Sequence, residues 1–93
     1  RNELKGTITI MVGMLAALEK EARWKMMITR MRTIAAYPTA QCSWHVGEMF
    51  TAVEALSPID RERVDATRTE VMMSLSSDER RALMVAMDVL SAA

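Results

Sequence analysis

One short segment, residues 39–50 (TAQCSWHVGEMF), holds the side chains best suited to chemistry. Cys42 is the only cysteine of the chain and His45 is its only histidine. Three residues apart on a helix, a thiol and an imidazole lie on one side and could act as a nucleophile and its base. Glu48, three residues further on, is the only local candidate to orient the imidazole. As metal ligands, the same three side chains would still need a fourth from elsewhere in the chain.

We interpret this segment instead as the start of a helix, because no Asp or Asn lies nearby to complete a catalytic group. Cys42 is then a small buried residue, and His45 lies at the edge of an interface. Trp44 projects away from the apolar face that contains Val46 and Met49, so it either covers the join to the first helix or is a possible exposed contact. The sequence thus predicts no catalytic residue, no metal site and no cofactor, and we expect a protein that is not an enzyme.

Residues 20–32 (KEARWKMMITRMR) form a basic segment with five Lys or Arg and one Glu. Its cations recur at seven-residue spacing, so two basic rows flank an apolar stripe on a helix. Such rows could contact a nucleic-acid backbone or an acidic partner, or they could be a solvated flank that pairs with the rest of the chain. The residues concerned are Lys20, Arg23, Lys25, Arg30 and Arg32.

Charge is balanced overall but divided along the chain. Residues 1–47 contain seven Lys or Arg and three Glu, whereas residues 48–93 contain five Arg and nine Asp or Glu. This division favours attraction between the two halves, or between two copies arranged head to tail. A basic half that meets nucleic acid is the other interpretation, and it requires an additional partner.

Length and composition limit the fold class. The 93 residues are 51% hydrophobic and 26% charged, as in one globular domain, and three Gly with two Pro leave little material for the turns of a sandwich or barrel. The single cysteine fits a reducing, cytoplasmic compartment. The apolar run at residues 8–18 is too short to span a membrane, although it would also suit the core of a signal peptide.

Apolar periodicity predicts an all-α bundle of about four helices over the single domain 1–93. We expect a long first helix at 6–36 and shorter helices at 43–56, 58–74 and 77–91, with a short strand at 7–12 as the competing interpretation. Two helix starts have strong local signals. Ser57 precedes Pro58 at the first helical position, and Ser76 with Glu79 has the spacing of a capping box.

The first predicted helix has two apolar stripes that lie almost opposite each other. One stripe has heptad spacing between residues 4 and 22, and the other runs from residue 24 to residue 34. Either the helix bends near residues 20–24, or a straight helix about 45 Å long packs on its own chain and on a second copy. We favour the straight helix, and therefore a homodimer. The predicted interface consists of Ile8, Met11, Leu15, Leu18, Trp24, Met27 and Met31.

The chain contains ten methionines, which fill irregular gaps in cores and also line adaptable binding grooves. Core filling is the simpler interpretation, and a groove for an apolar ligand or a partner helix remains open. We therefore expect a small, non-enzymatic regulatory domain that acts as a homodimer and binds another protein. The alternative is a nucleic-acid-binding regulator that uses residues 20–32.

Overall fold

The computed structural model describes the backbone of residues 2–92 and the side chains of residues 4–92. This range folds into five α-helices and contains no strand, so the residues that could have formed one at 7–12 are helical. The helices are α1 (Asn2–Ala17), α2 (Lys20–Ala35), α3 (Thr39–Glu54), α4 (Pro58–Ser74) and α5 (Ser77–Ala92). An all-α fold was predicted, with about four helices instead of five.

The fifth helix arises because the predicted long helix at 6–36 is broken. Helix α1 ends at Ala17 and α2 begins at Lys20, with Glu19 between them in an extended conformation at ψ 162°. Two stripes on opposite sides of a straight helix cannot both face one core. The break reorients α2, so that Leu15 from the first stripe and Met27 from the second join the same buried cluster.

The starts of α4 and α5 confirm the predicted capping. The Asp60 backbone N–H donates to Ser57 Oγ at 3.3 Å, and Pro58 occupies the first turn of α4. At α5 the Ser76 N–H donates to Glu79 Oε1 at 2.8 Å, while the Glu79 N–H donates to Ser76 Oγ at 3.1 Å. This reciprocal pair satisfies two backbone donors that a helix N-terminus otherwise leaves free.

Helix α3 begins earlier than predicted, at residue 39 instead of residue 43. Pro38 takes the N-cap position in an extended conformation, and its carbonyl accepts the Cys42 N–H at 2.9 Å. Proline has a fixed φ and no N–H, so the chain can turn from α2 into α3 directly at this residue. Cys42 therefore lies within the first turns of α3 and not before it.

The core lies between all five helices. Helix α3 packs closely against both α1 and α5, and α2 packs against α4. A main cluster is supplemented by a smaller one between α1 and α3 that contains Ile8, Val12 and Ala52. The Cα radius of gyration is 12.5 Å, close to the roughly 12 Å of a compact chain of this length. Buried residues of the main cluster include Leu15, Met27, Ile34, Val46, Val71 and Leu83.

The residues predicted as a dimer interface lie in or beside this intramolecular core. Ile8, Leu15, Met27 and Met31 are buried within one chain, which leaves little of their surface for a second copy. The other three are half-buried: Leu18 and Trp24 pack against the main cluster, and Met11 lines a cavity described below. Packing in the single chain thus accounts for most of the heptad spacing between residues 4 and 22, whereas Leu4 is 41% exposed.

Candidate functional site

The Cys42 and His45 pair is enclosed on α3. Both side chains are buried, and burial raises the pKa of the Cys42 thiol because the thiolate would be desolvated. A nucleophilic cysteine needs the opposite shift. The His45 ring packs against aromatic rings, with centroids 5.2 Å from that of Tyr37 and 5.1 Å from that of Trp44. This environment favours a packing role for both residues.

Trp44 and Glu48 both connect α3 to α1. Trp44 is half-buried and packs against the small cluster that contains Ile8 and Val12, which agrees with its covering the first helix and not with an exposed contact. Glu48 Oε2 lies 3.7 Å from Lys5 Nζ and pairs α3 with α1. Across residues 4–92, no group of three or more His, Cys, Asp or Glu side chains could hold a metal ion.

Arg23, predicted as a surface contact, is buried with only 7% of its surface exposed. Its Nε donates to Thr67 Oγ1 on α4 at 2.8 Å, and Nη1 donates to the Leu18 carbonyl at 2.7 Å. Leu18 follows the end of α1, where a carbonyl has no partner within the helix. Arg23 therefore joins the α1–α2 break to α4.

Three more cations of the basic segment pair with carboxylates of the same chain. Lys20 Nζ lies 3.5 Å from Glu70 Oε1, and Arg32 Nε lies 3.5 Å from Glu79 Oε2, so both link α2 to the acidic half of the chain. Lys25 pairs with Glu21 one turn earlier on α2, at 3.2 Å. The division of charge along the sequence is thus matched, in part, by contacts within one molecule.

Arg30 differs from the other four residues. It is half-buried, and it makes no ion pair or hydrogen bond with any residue in the described part of the chain. Its side chain instead lines a cavity between the helices. Of the five predicted basic contacts, Arg30 is the one that lines this cavity.

The cavity has a volume of about 390 Å³ and is open to solvent on one side. All five helices contribute to it, and its deeper walls include the buried residues Leu15, Ile34, Val46 and Leu83. Seven of the ten methionines line it, which favours the groove interpretation that the sequence left open. They are Met11, Met27, Met31, Met49, Met72, Met73 and Met87.

The polar residues of the cavity are mostly cationic. Arg30 comes from α2, Arg68 from α4 and Arg80 from α5, and Asp65 is the only acidic residue that lines the cavity within the described range. Arg68 lies 3.7 Å from Asp65 and its guanidinium stands 5.5 Å from the centre of the Phe50 ring. Arg80 Nη1 donates to the Met72 carbonyl at 3.2 Å. We call this group of three arginines the arginine edge.

Sequence reasoning missed Arg68 and Arg80, because they lie 38 and 50 residues after Arg30 in the chain. Only folding brings the three arginines to one cavity. The methionine content was the only signal in the sequence for a groove of this kind.

No protein-family model matches the chain, and comparison with curated proteins and with solved structures finds none that matches it. No helix of the described chain is long and apolar enough to cross a membrane.

Proposed function

We propose that this chain is a small, non-enzymatic binding domain of the regulatory kind, and that its binding site is the methionine-lined cavity. The cavity itself is the observation that supports the proposal. Its volume of about 390 Å³ falls in the range of small-ligand pockets, roughly 300–1,000 Å³. Its walls are mainly apolar with a few convergent polar groups, as in such pockets.

The lining also favours binding over simple core filling. Protein interiors are close-packed, with few voids larger than a water molecule, so the side chains around this open recess lack some of the contacts that a closed core would give them. A ligand that fills the recess would restore those contacts and stabilise the folded state. Methionine side chains have three rotatable bonds and adapt to the shape of a bound apolar group.

Titration with N-phenyl-1-naphthylamine, an uncharged apolar dye, tests this proposal. We expect saturable binding of one dye per chain, observed as an increase in fluorescence. Met49→Trp should abolish it by filling the cavity, because Met49 lines the wall. Met26→Trp is the matched control, since Met26 is exposed on α2 and does not line the cavity. Absence of saturable binding, or equal effects of the two variants, would contradict the proposal.

Homodimerisation is a second candidate, and the outer face of α5 favours it. Met84, Val85 and Val89 are 56%, 44% and 46% exposed on that face. Arg81 and Asp88 lie on the same side of the helix, and neither has an ion-pair partner in the described chain. Two antiparallel copies of α5 about a two-fold axis would place Arg81 opposite Asp88 of the partner subunit.

Light scattering at micromolar concentration measures this association. We expect a dimer that Arg81→Glu dissociates, because two acidic residues would then face each other. Adding Asp88→Arg to the same chain should restore the dimer by exchanging the charges. Ile59→Glu, at an exposed position on α4, is the control and should have no effect. A monomer for the unmutated chain would refute dimerisation and leave the cavity proposal intact.

Nucleic-acid binding through residues 20–32 has less support. Arg23 is buried, and Lys20, Lys25 and Arg32 each lie within ion-pair distance of a carboxylate. A phosphate backbone would have to displace those contacts. Salt titration with random duplex DNA checks this point, and we expect no binding at physiological salt.

A further inference from the structure

We infer that the ligand of the cavity is an amphiphile with one alkyl chain and an anionic head, of the fatty-carboxylate class, and that Arg30 binds the head. This inference rests on the proposed function, because it identifies the ligand of the same site. Two properties of the cavity support it: the depth of its apolar walls and the charge of the arginine edge.

The walls favour a slender ligand. Residues from five helices surround the recess, and several of them belong to the buried core, including Leu15, Ile34 and Val64. An α-helix with its side chains is about 10–12 Å across and needs a long open trough. An extended alkyl chain can enter between helices without separating them, and it would contact the flexible side chains of Met31 and Met49.

The arginine edge determines the sign of the head group. Three arginines and one aspartate are among the residues that line the cavity, so the formal charge of its lining residues is positive. Arg68 and Arg80 already have partners, Asp65 and the Met72 carbonyl respectively. Arg30 has none in the described chain, so it gains the most from an incoming anion.

A carboxylate suits this position for geometric reasons. Guanidinium presents parallel N–H donors that match the two oxygens of a carboxylate, and the resulting charge-assisted bonds are stronger than neutral ones. An alcohol would leave Arg30 without a counter-charge, and a quaternary ammonium head would be repelled by the arginine edge. The preference for an anion is therefore the property that separates this inference from apolar binding in general.

Displacement of bound N-phenyl-1-naphthylamine provides the test. The competitors are dodecanoate, 1-dodecanol and dodecyltrimethylammonium, each kept below the concentration at which it forms micelles. We expect dodecanoate to bind about tenfold or more tightly than dodecanol, as one charge-assisted bond implies. Dodecyltrimethylammonium should bind more weakly than either.

Arg30→Gln should remove the advantage of dodecanoate over dodecanol, and a far-ultraviolet circular dichroism spectrum equal to that of the unmutated chain shows that the variant is folded. Lys25→Gln is the matched control, because it removes the same charge from the exposed side of the same helix. Arg30→Lys should retain part of the advantage, since lysine keeps the charge but not the paired donors.

Each outcome separates the two proposals. If dodecanol and dodecanoate bind equally, the anionic ligand is refuted while apolar binding stands. If the preference survives in Arg30→Gln and disappears in Arg68→Gln, the assignment of Arg30 is wrong. If the dye binds but none of the three competitors displaces it, the amphiphilic ligand is refuted while apolar binding stands. If the dye itself does not bind, the cavity is not a ligand site and both proposals fail.

Discussion

The hydrogen bond between Arg23 and Thr67 should contribute strongly to stability, because it lies in the interior and its donor is charged. Arg23→Met removes the guanidinium and keeps an unbranched side chain in place of its aliphatic part. The Nε–Oγ1 distance of 2.8 Å and the 7% exposure of Arg23 indicate a well-formed bond with little access to water. Thr67→Val removes the acceptor and leaves the buried Nε–H of Arg23 without this partner. The same change also removes the hydrogen bond that Thr67 donates to the Arg63 carbonyl.

A hydrogen bond that involves a charged group contributes about 1.5–3 kcal/mol. The cost of Arg23→Met alone does not measure it, since that change also removes the bond to Leu18 and relieves the desolvation of the cation. A double-mutant cycle of Arg23→Met and Thr67→Val isolates the pair. We expect a coupling free energy of about 1.5–3 kcal/mol.

Urea unfolding of the four proteins, followed by circular dichroism, gives this coupling. The control cycle replaces Thr67→Val with Thr69→Val. Thr69 lies on the same helix and bonds to the carbonyl four residues earlier, as Thr67 does, but it is exposed. The control coupling should be zero within about 0.5 kcal/mol. Equal couplings in the two cycles would refute the role of Arg23 as an interior link and would make a surface contact tenable again.

Further predictions concern capping, helix propensity and the thiol. Ser76→Ala should cost about 0.5–2 kcal/mol in urea unfolding, and no change would contradict the capping geometry. The hydrogen bond that the Ser76 backbone N–H donates lowers the pKa of Glu79. At neutral pH the unmutated chain should therefore have a larger free energy of unfolding than the Glu79→Gln variant. That difference should be lost as the pH falls below the ordinary pKa of 4.5 and through the lowered value, and a constant difference between pH 7 and pH 3 would refute it. Gly13→Ala should stabilise the chain by about 0.5–1 kcal/mol, because its new Cβ meets no atom within 4 Å. Gly47→Ala should gain less, since its Cβ would lie 3.2 Å from a side-chain carbon of α5, and equal gains would argue against that packing. Iodoacetamide should alkylate Cys42 more slowly than a free thiol at neutral pH, and faster reaction would restore the nucleophile interpretation.

The helical segments were largely predictable, and the break in the first of them was not. No glycine or proline marks residues 18 and 19, and the N-cap Glu19 makes no side-chain capping bond. The stripes on either side do indicate a change of direction, and a bend near residues 20–24 was one of two interpretations. The straight dimeric helix is the interpretation that length favours, because a helix about 45 Å long is longer than the other helices can cover. The sequence does not show which surfaces the stripes meet.

The candidate site was predictable only in its composition. The sequence predicts Arg30 as a basic contact, but it predicts the other four cations of the same segment as contacts on the same grounds. Their difference depends on which carboxylates and hydroxyls lie opposite α2 after folding, such as Glu70, Glu79 and Thr67. Predicted interface residues such as Met27 and Met31 turned out to line the cavity, because the core and the site share the same walls.

The sequence by itself determined the all-α class and the starts of α4 and α5, because helical periodicity and capping bonds act between residues three or four positions apart. Tertiary structure decided the break after Ala17, the burial of Arg23 and the isolation of Arg30 beside the cavity. Each of these depends on contacts between helices that are distant in the chain. Arg23 links helices within the molecule and Arg30 is the proposed binding group, although both belong to the same basic segment. They differ because the residue that pairs with a cation comes from another helix packed against it.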